Sequence, residues 1–193
     1  MDIYNFPQMY EVAFRTIPPL SLWRREWERE VYRFLVSLPF PPSSLLDACC
    51  GTGFLSTLIK EVYPNTKIVG IDKSESMIKF ASAHFPSAEF RCEDFSSLTE
   101  NFDVVIIGGG LTTIPIGDTV EVIERIAPLS FILSGYKSSI WSLSHRLFTR
   151  VVMGERCYIY TPSQIKEIFA SRGINIKIRQ IDVIEGSYAV YKL

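Results

Sequence analysis

No stretch of the 193 residues stays apolar for long enough to span a bilayer, because Asp, Lys, Arg, Glu or Pro interrupts every hydrophobic run. No membrane span is therefore expected. Met1 to Asn5 lack the basic-then-apolar layout of a signal peptide, which predicts a soluble, cytoplasmic protein. An excess of either charge is also missing. Twenty Lys+Arg against 21 Asp+Glu leave a formal charge of -1, so no global basic field draws in nucleic acid and no such partner is expected. Of four cysteines, Cys49 and Cys50 are neighbours while Cys92 and Cys157 stand alone. That leaves no C-x-x-C pair, no zinc spacing and no disulfide scaffold, so no metal is expected and the thiols read as free and mostly buried. Repeats and low-complexity tracts are absent. With 47% hydrophobic and 21% charged residues, what remains is one ordinary globular domain, and wholesale disorder is excluded.

Pro39 to Ser44 is the nearest approach to a linker. Ahead of it, Trp23, Trp27, Val31, Phe34, Leu35 and Leu38 recur at spacings of three and four among charged neighbours, the mark of an amphipathic helix. Residues 1–42 are thus expected to form a helical cover on the body. From Leu45 the pattern alternates between short apolar runs and helical stretches. Strands are predicted at 45–49, 67–71, 89–91, 102–107 and 131–134, with helices at 54–62, 74–83, 118–126 and 163–171. The runs 174–183 and 188–191 flank Glu185-Gly186-Ser187 and read as a terminal antiparallel hairpin. The fold class expected is α/β: three layers around a Rossmann-like, mostly parallel, seven-stranded sheet. Residues 136–160 read as a lid-like insertion above the carboxyl ends of the strands, where ligands bind in open α/β sheets.

The strongest local signal is Asp47-Ala48-Cys49-Cys50-Gly51-Thr52-Gly53 at a strand-to-helix turn. Gly51 and Gly53 permit backbone angles and a close ligand approach that a β-carbon would block. Asp72, ending the second strand, lies close to the roughly 20-residue separation expected of a carboxylate that hydrogen-bonds ribose hydroxyls. A dinucleotide sets its pyrophosphate on the helix N-terminus and generally wants a third glycine. Here Ser56 takes that place, no Lys or Arg lies between Leu45 and Ile59, and Asp47 would repel phosphate. A cationic sulfonium nucleoside without phosphate suits an acid at this position, so S-adenosylmethionine is favoured over NAD.

On these residues the chain resembles the class I S-adenosylmethionine-dependent methyltransferases. The resemblance implies cofactor binding by Asp47, Cys49, Gly51, Gly53 and Asp72, and by Gly108 after the fourth strand. It further implies that Met77 packs on the adenine, that Asp94 meets the adenine amino group, and that Phe95 meets the ring. A finer similarity runs to the demethylmenaquinone and ubiquinone methyltransferase group, through Tyr10-Glu11, Leu22 to Arg25, Arg156 to Tyr160 and Glu185 to Tyr188. It implies a small-molecule acceptor, of aromatic or quinone-precursor type. The Asn/Asp-Pro-Pro-aromatic turn of amino-methylating members is replaced here by Gly108-Gly109-Gly110-Leu111, against a nucleic-acid base as target.

Methyl transfer from a sulfonium is an in-line displacement, for which the protein mainly aligns the reactants and excludes water. A base is needed only where the acceptor must lose a proton. The candidates are His145, Tyr158 and Tyr160, with Arg146, Arg150 and Arg156 as contacts for an acidic acceptor, whereas His84 reads as structural. Two other functions stay open at this point: a non-catalytic S-adenosylmethionine-binding subunit and an NAD(P)-dependent oxidoreductase. Oligomeric state is not encoded in any of these features.

Overall fold

Runs of branched apolar residues such as Val104-Val105-Ile106-Ile107 are buried along their whole length, which suits strands covered on both faces. In the computed structural model, which describes residues 3–18, 20–109, 113–136, 158–181 and 187–193, they assemble into one sheet. Its strands are β1 (Ser44–Ala48), β2 (Lys67–Asp72), β3 (Glu89–Cys92), β4 (Val104–Ile107), β5 (Ser130–Tyr136), β6 (Lys177–Ile181) and β7 (Ser187–Lys192). The order is β3-β2-β1-β4-β5-β7-β6. Neighbours from β3 to β5 are parallel, and β7 is antiparallel to both β5 and β6. The expected seven-stranded Rossmann-like sheet is what forms. The last strand wedges between β5 and β6, and burial explains why: Ser187 to Val190 are buried, while Lys177, Arg179 and Gln180 are exposed. A charged strand is the safer edge.

Two helical layers cover the sheet. On one face, α2 (Leu20–Val36) sets Trp27, Val31, Phe34 and Leu35 against Leu45, Val104, Ile106 and Ile132, beside Leu55 and Ile59 of α3 (Leu55–Val62). On the other, α5 (Ile116–Ile126) and α6 (Pro162–Ser171) pack on Leu46, Val105, Phe131 and Val190. Ser74 caps α4 (Glu75–His84), its hydroxyl accepting the Met77 N–H at 3.4 Å. Thr161 and Gln164 form a capping box at the start of α6. Within the span expected to be a helical cover, α1 (Pro7–Thr16), with Pro7 in its first turn, follows a short 3-10 turn at Ile3–Asn5. Most of the expected lid, 137–157, and the hairpin tip, 182–186, lie outside the described residues. Among the described residues no helix is long and apolar enough to cross a membrane.

Candidate functional site

The carboxyl ends of β1 and β2 meet at the glycine turn. Directly after β1, Cys49 (φ 57°), Gly51 (φ 53°) and Gly53 (φ 76°) all take left-handed backbone conformations. The turn is closed by Gly53 N–H donating to the Cys50 carbonyl at 2.9 Å, and tied to β2 by Cys50 N–H donating to the Ile71 carbonyl at 3.0 Å. Its two glycines serve different needs. A β-carbon on Gly51 would meet nothing within 4 Å, so this residue borders open space where a ligand can approach. A β-carbon on Gly53 would fall 2.8 Å from the Phe90 ring and 3.0 Å from Ala81 Cβ. Gly53 is therefore demanded by packing between the turn, β3 and α4.

Acids surround the turn. Asp72 accepts the Gly51 N–H at 2.9 Å on one carboxylate oxygen and the Ser74 N–H at 2.9 Å on the other. These two bonds fix the carboxylate at the end of β2, beside the turn. Asp47 is 1% exposed, and its Oδ2 has no hydrogen-bond partner. Burial, then the nearby charge of Asp72, push its carboxyl up to about 8. Both Cys49 and Cys50 thiols are raised by burial and then by neighbouring acids, Asp72 foremost for Cys49 and Asp47 for Cys50, which makes them poor nucleophiles. Asp94 follows β3, at the same carboxyl end of the sheet. Its Oδ1 accepts the Ser96 N–H and hydroxyl, each at 2.8 Å, and these bonds keep its carboxyl below the ordinary range.

The remaining expected residues sit elsewhere. Met77 is 0% and Phe95 3% exposed, so both side chains are buried in this structure. Gly108 backs onto an indole: a β-carbon there would lie 2.7 Å from Trp27 Nε1. Tyr160 is engaged structurally. Its hydroxyl accepts the Ile116 N–H at 3.1 Å, its carbonyl accepts the Tyr188 hydroxyl at 2.9 Å, and burial raises its phenol. A tyrosine held as an acceptor at the head of α5 is badly placed to act as a base. Tyr158 stacks beside it at 6.4 Å between ring centroids. His145, Arg146, Arg150 and Arg156 lie outside the described residues. His84 is exposed, with Nδ1 2.8 Å from the Phe80 carbonyl and its ring on Phe80, as a structural histidine would be. No group of three or more His, Cys, Asp or Glu stands close enough to hold a metal among the described residues.

Sequence reasoning missed a polar cluster behind the turn. Glu11 of α1, 8% exposed, accepts from the Thr52 hydroxyl and from Arg24 Nη1 at 2.9 and 3.0 Å. Burial alone would raise its carboxyl, but the Thr52 hydroxyl, Arg24 and Arg15 together hold it below the ordinary value. The partners stand far apart in the chain and leave no periodic trace. The Glu11–Arg15 spacing of four was the available hint.

A left-handed glycine turn between a parallel strand and a helix, with acids ending both adjoining strands, can hold a nucleoside bearing positive charge. Comparison with known proteins agrees in kind. The family model described as "Methyltransferase domain" matches residues 41–169. The chain belongs to that family. This methyltransferase domain is 27% identical over 159 residues to a malonyl-[acyl-carrier protein] O-methyltransferase of Bacillus cytotoxicus, a match covering 73% of this chain and 55% of that protein. Over 92 residues it is 37% identical to the demethylmenaquinone methyltransferase of Lactococcus lactis, covering 43% and 36%. It spans about half the length, or less, of these relatives. Its fold is shared with the magnesium protoporphyrin IX methyltransferase of Synechocystis PCC 6803, solved with bound SAH: TM-score 0.64, 20% identity, covering 96% of this chain and 97% of that one.

Proposed function

We propose that the domain binds S-adenosylmethionine against the Cys49–Gly53 turn and transfers its methyl group to a small-molecule acceptor. The observation that carries the reading is the pair of carboxylates around an open glycine: buried Asp47 with an unpartnered oxygen, and Asp72 fixed by the Gly51 and Ser74 amides. Two acids at one turn favour a cation and disfavour a diphosphate, which sets this site apart from a nicotinamide-dinucleotide site.

S-adenosylmethionine, when bound, supplies a methyl group on a positively charged sulfur. The protein's own tasks are then positional. Asp72 presents its carboxylate to vicinal ribose hydroxyls, and Gly51 lets the backbone come close. Asp47 holds a proton in the empty fold, and a cation bound beside it favours loss of that proton, so that it then supplies negative potential from inside the fold. Asp94, already oriented by Ser96, marks the far end of the crevice. The N-terminal turn closes one side, because the Tyr4 carbonyl accepts the hydroxyls of Ser74, at 3.2 Å, and of Ser76. The relatives named above differ in acceptor, and so the class proposed is no finer than a small molecule.

Calorimetric titration of the purified chain tests the reading. Heat should accompany S-adenosylmethionine and its demethylated product, and none should accompany NAD; the reverse pattern overturns it. Incubation with labelled methyl donor and a metabolite extract then separates an enzyme from a binding subunit. A labelled small-molecule product is the expected outcome.

A further inference from the structure

We propose that Glu11 is a positioning residue: through Thr52 it holds the glycine turn in its ligand-accepting shape, so that the crevice is formed only while α1 is docked. Thr52 lies between the two left-handed glycines and is 0% exposed. Its hydroxyl is therefore the turn's one side-chain handle between Gly51 and Gly53, and the group that holds it is the Glu11 carboxylate. Phe54, the next residue after Gly53, is held from the same side. The Arg24 guanidinium lies 4.3 Å from its ring centroid while binding both Glu11 oxygens. Arg24 also reaches Glu28 at 3.3 Å, and Arg15 Nε reaches Glu11 at 3.0 Å. A buried carboxylate is costly unless paired, and here the pairing reaches from the N-terminal helices to the turn, a link that ordinary apolar packing of a cover would not need. The Glu11 side chain is almost wholly buried. Its influence passes through Thr52, and it is no catalytic residue.

This inference uses the cofactor reading for only one of its two tests. The first needs no ligand: amide hydrogen exchange across residues 49–56 of the full chain. Thr52→Val removes the hydroxyl at nearly constant shape, and Glu11→Ala removes the carboxylate. Each should speed exchange in that segment by about tenfold, as expected when a local hydrogen-bonded unit opens more often, with β4 and β5 unchanged. Thr52→Ser, which keeps the hydroxyl, should restore protection. That rescue separates positioning from a mere loss of packing. The second test is calorimetry with S-adenosylmethionine. Both disruptive variants should bind about tenfold more weakly, and the double variant no more weakly than either single one, since both break the same link. Wild-type exchange rates in both variants, or protection lost equally in Thr52→Ser, would overturn the proposal. A wild-type chain that gives no heat with S-adenosylmethionine would sink the cofactor reading, with the exchange result still deciding the role of Glu11.

Discussion

The two ends of the parallel strands treat their polar groups in opposite ways. At the amino ends most polar groups are answered, the buried Ser130 hydroxyl at the start of β5 being the exception. Asp103, just before β4, accepts the N–H groups of Ser43 and Ser44 at 2.7 and 3.2 Å, and its own N–H donates to the Ser44 hydroxyl at 3.1 Å. The Thr66 hydroxyl donates to the Pro42 carbonyl at 2.6 Å, Lys60 to the Thr66 carbonyl at 2.8 Å, and the Tyr63 hydroxyl to the Leu35 carbonyl at 2.7 Å. At the carboxyl ends Asp47 keeps a buried oxygen unpartnered, Cys49 sits in a left-handed conformation, and Gly51 faces open space. Satisfied polar groups stabilise a fold, whereas unsatisfied ones are tolerated where a ligand completes them. The same type of side chain thus serves stability at one end and, in the function proposed above, binding at the other.

Removing one acid from each end breaks the comparison most sharply. Asp72→Ala should weaken S-adenosylmethionine binding by about 1–3 kcal/mol, the cost of losing buried hydrogen bonds to a charged group. Titration calorimetry reads this directly, and an unchanged affinity rejects Asp72 as a ligand contact. Asp103→Ala should cost stability by about 1–3 kcal/mol in urea unfolding, because two strand-end amides lose their acceptor, yet leave the affinity of the folded protein alone. If Asp103→Ala weakened binding as much as Asp72→Ala, the division between the ends would not stand.

Most of the fold was legible because strands buried on both faces leave unbroken apolar runs, as Val104–Ile107 does, and because Gly and Pro punctuate the connections. The placement of β7 inside β6 was not legible from the hairpin signal, since a turn motif says which strands pair and not which one faces the sheet. The acids of the site were legible as residues ending strands. Their surroundings were not: spacing cannot distinguish Gly51, which borders space, from Gly53, which yields to Phe90. Nor can it foresee that Glu11 reaches Thr52, because a buried ion-pair cluster between distant segments has no period. Met77 and Phe95 came from family likeness alone, and both are buried.

Titration sharpens the contrast at Asp47. Its carboxyl, ordinarily near 3.8, is pushed up to about 8 by burial and by Asp72, so the fold keeps a proton that the unfolded chain has lost. Between those values the native state binds more protons, and stability contributed by this group falls as pH rises through the window. Asp47→Asn removes the titration. Without ligand the variant should be more stable than wild type at pH 8, with the difference closing toward pH 4, while its affinity for the cationic cofactor drops. Thermal melts at a series of pH values check the first part. A difference that does not change with pH would mean that Asp47 is ionised throughout.

The smallest expected effect compares two residues in the same unusual conformation. Cys49 (φ 57°) stands at the carboxyl end of β1, and Ala127 (φ 42°) caps α5 on the way to the amino end of β5, its N–H donating to the Ile123 carbonyl at 2.9 Å. A left-handed non-glycine residue carries roughly 1–2 kcal/mol of steric cost, and glycine removes it while losing about 0.5–1 kcal/mol of backbone entropy on folding. Ala127→Gly and Cys49→Gly should therefore each stabilise by about 0.5 kcal/mol in urea unfolding, with Cys49→Gly the smaller gain because its half-buried thiol is lost. Binding tells them apart. Ala127→Gly should leave S-adenosylmethionine affinity untouched, whereas Cys49→Gly loosens the residue that leads into the turn and should weaken it by about twofold, the entropy of re-ordering one glycine on binding. Equal affinities in the two variants would place the strain at Cys49 outside the binding function and make it, like that at Ala127, a matter of connecting one element to the next.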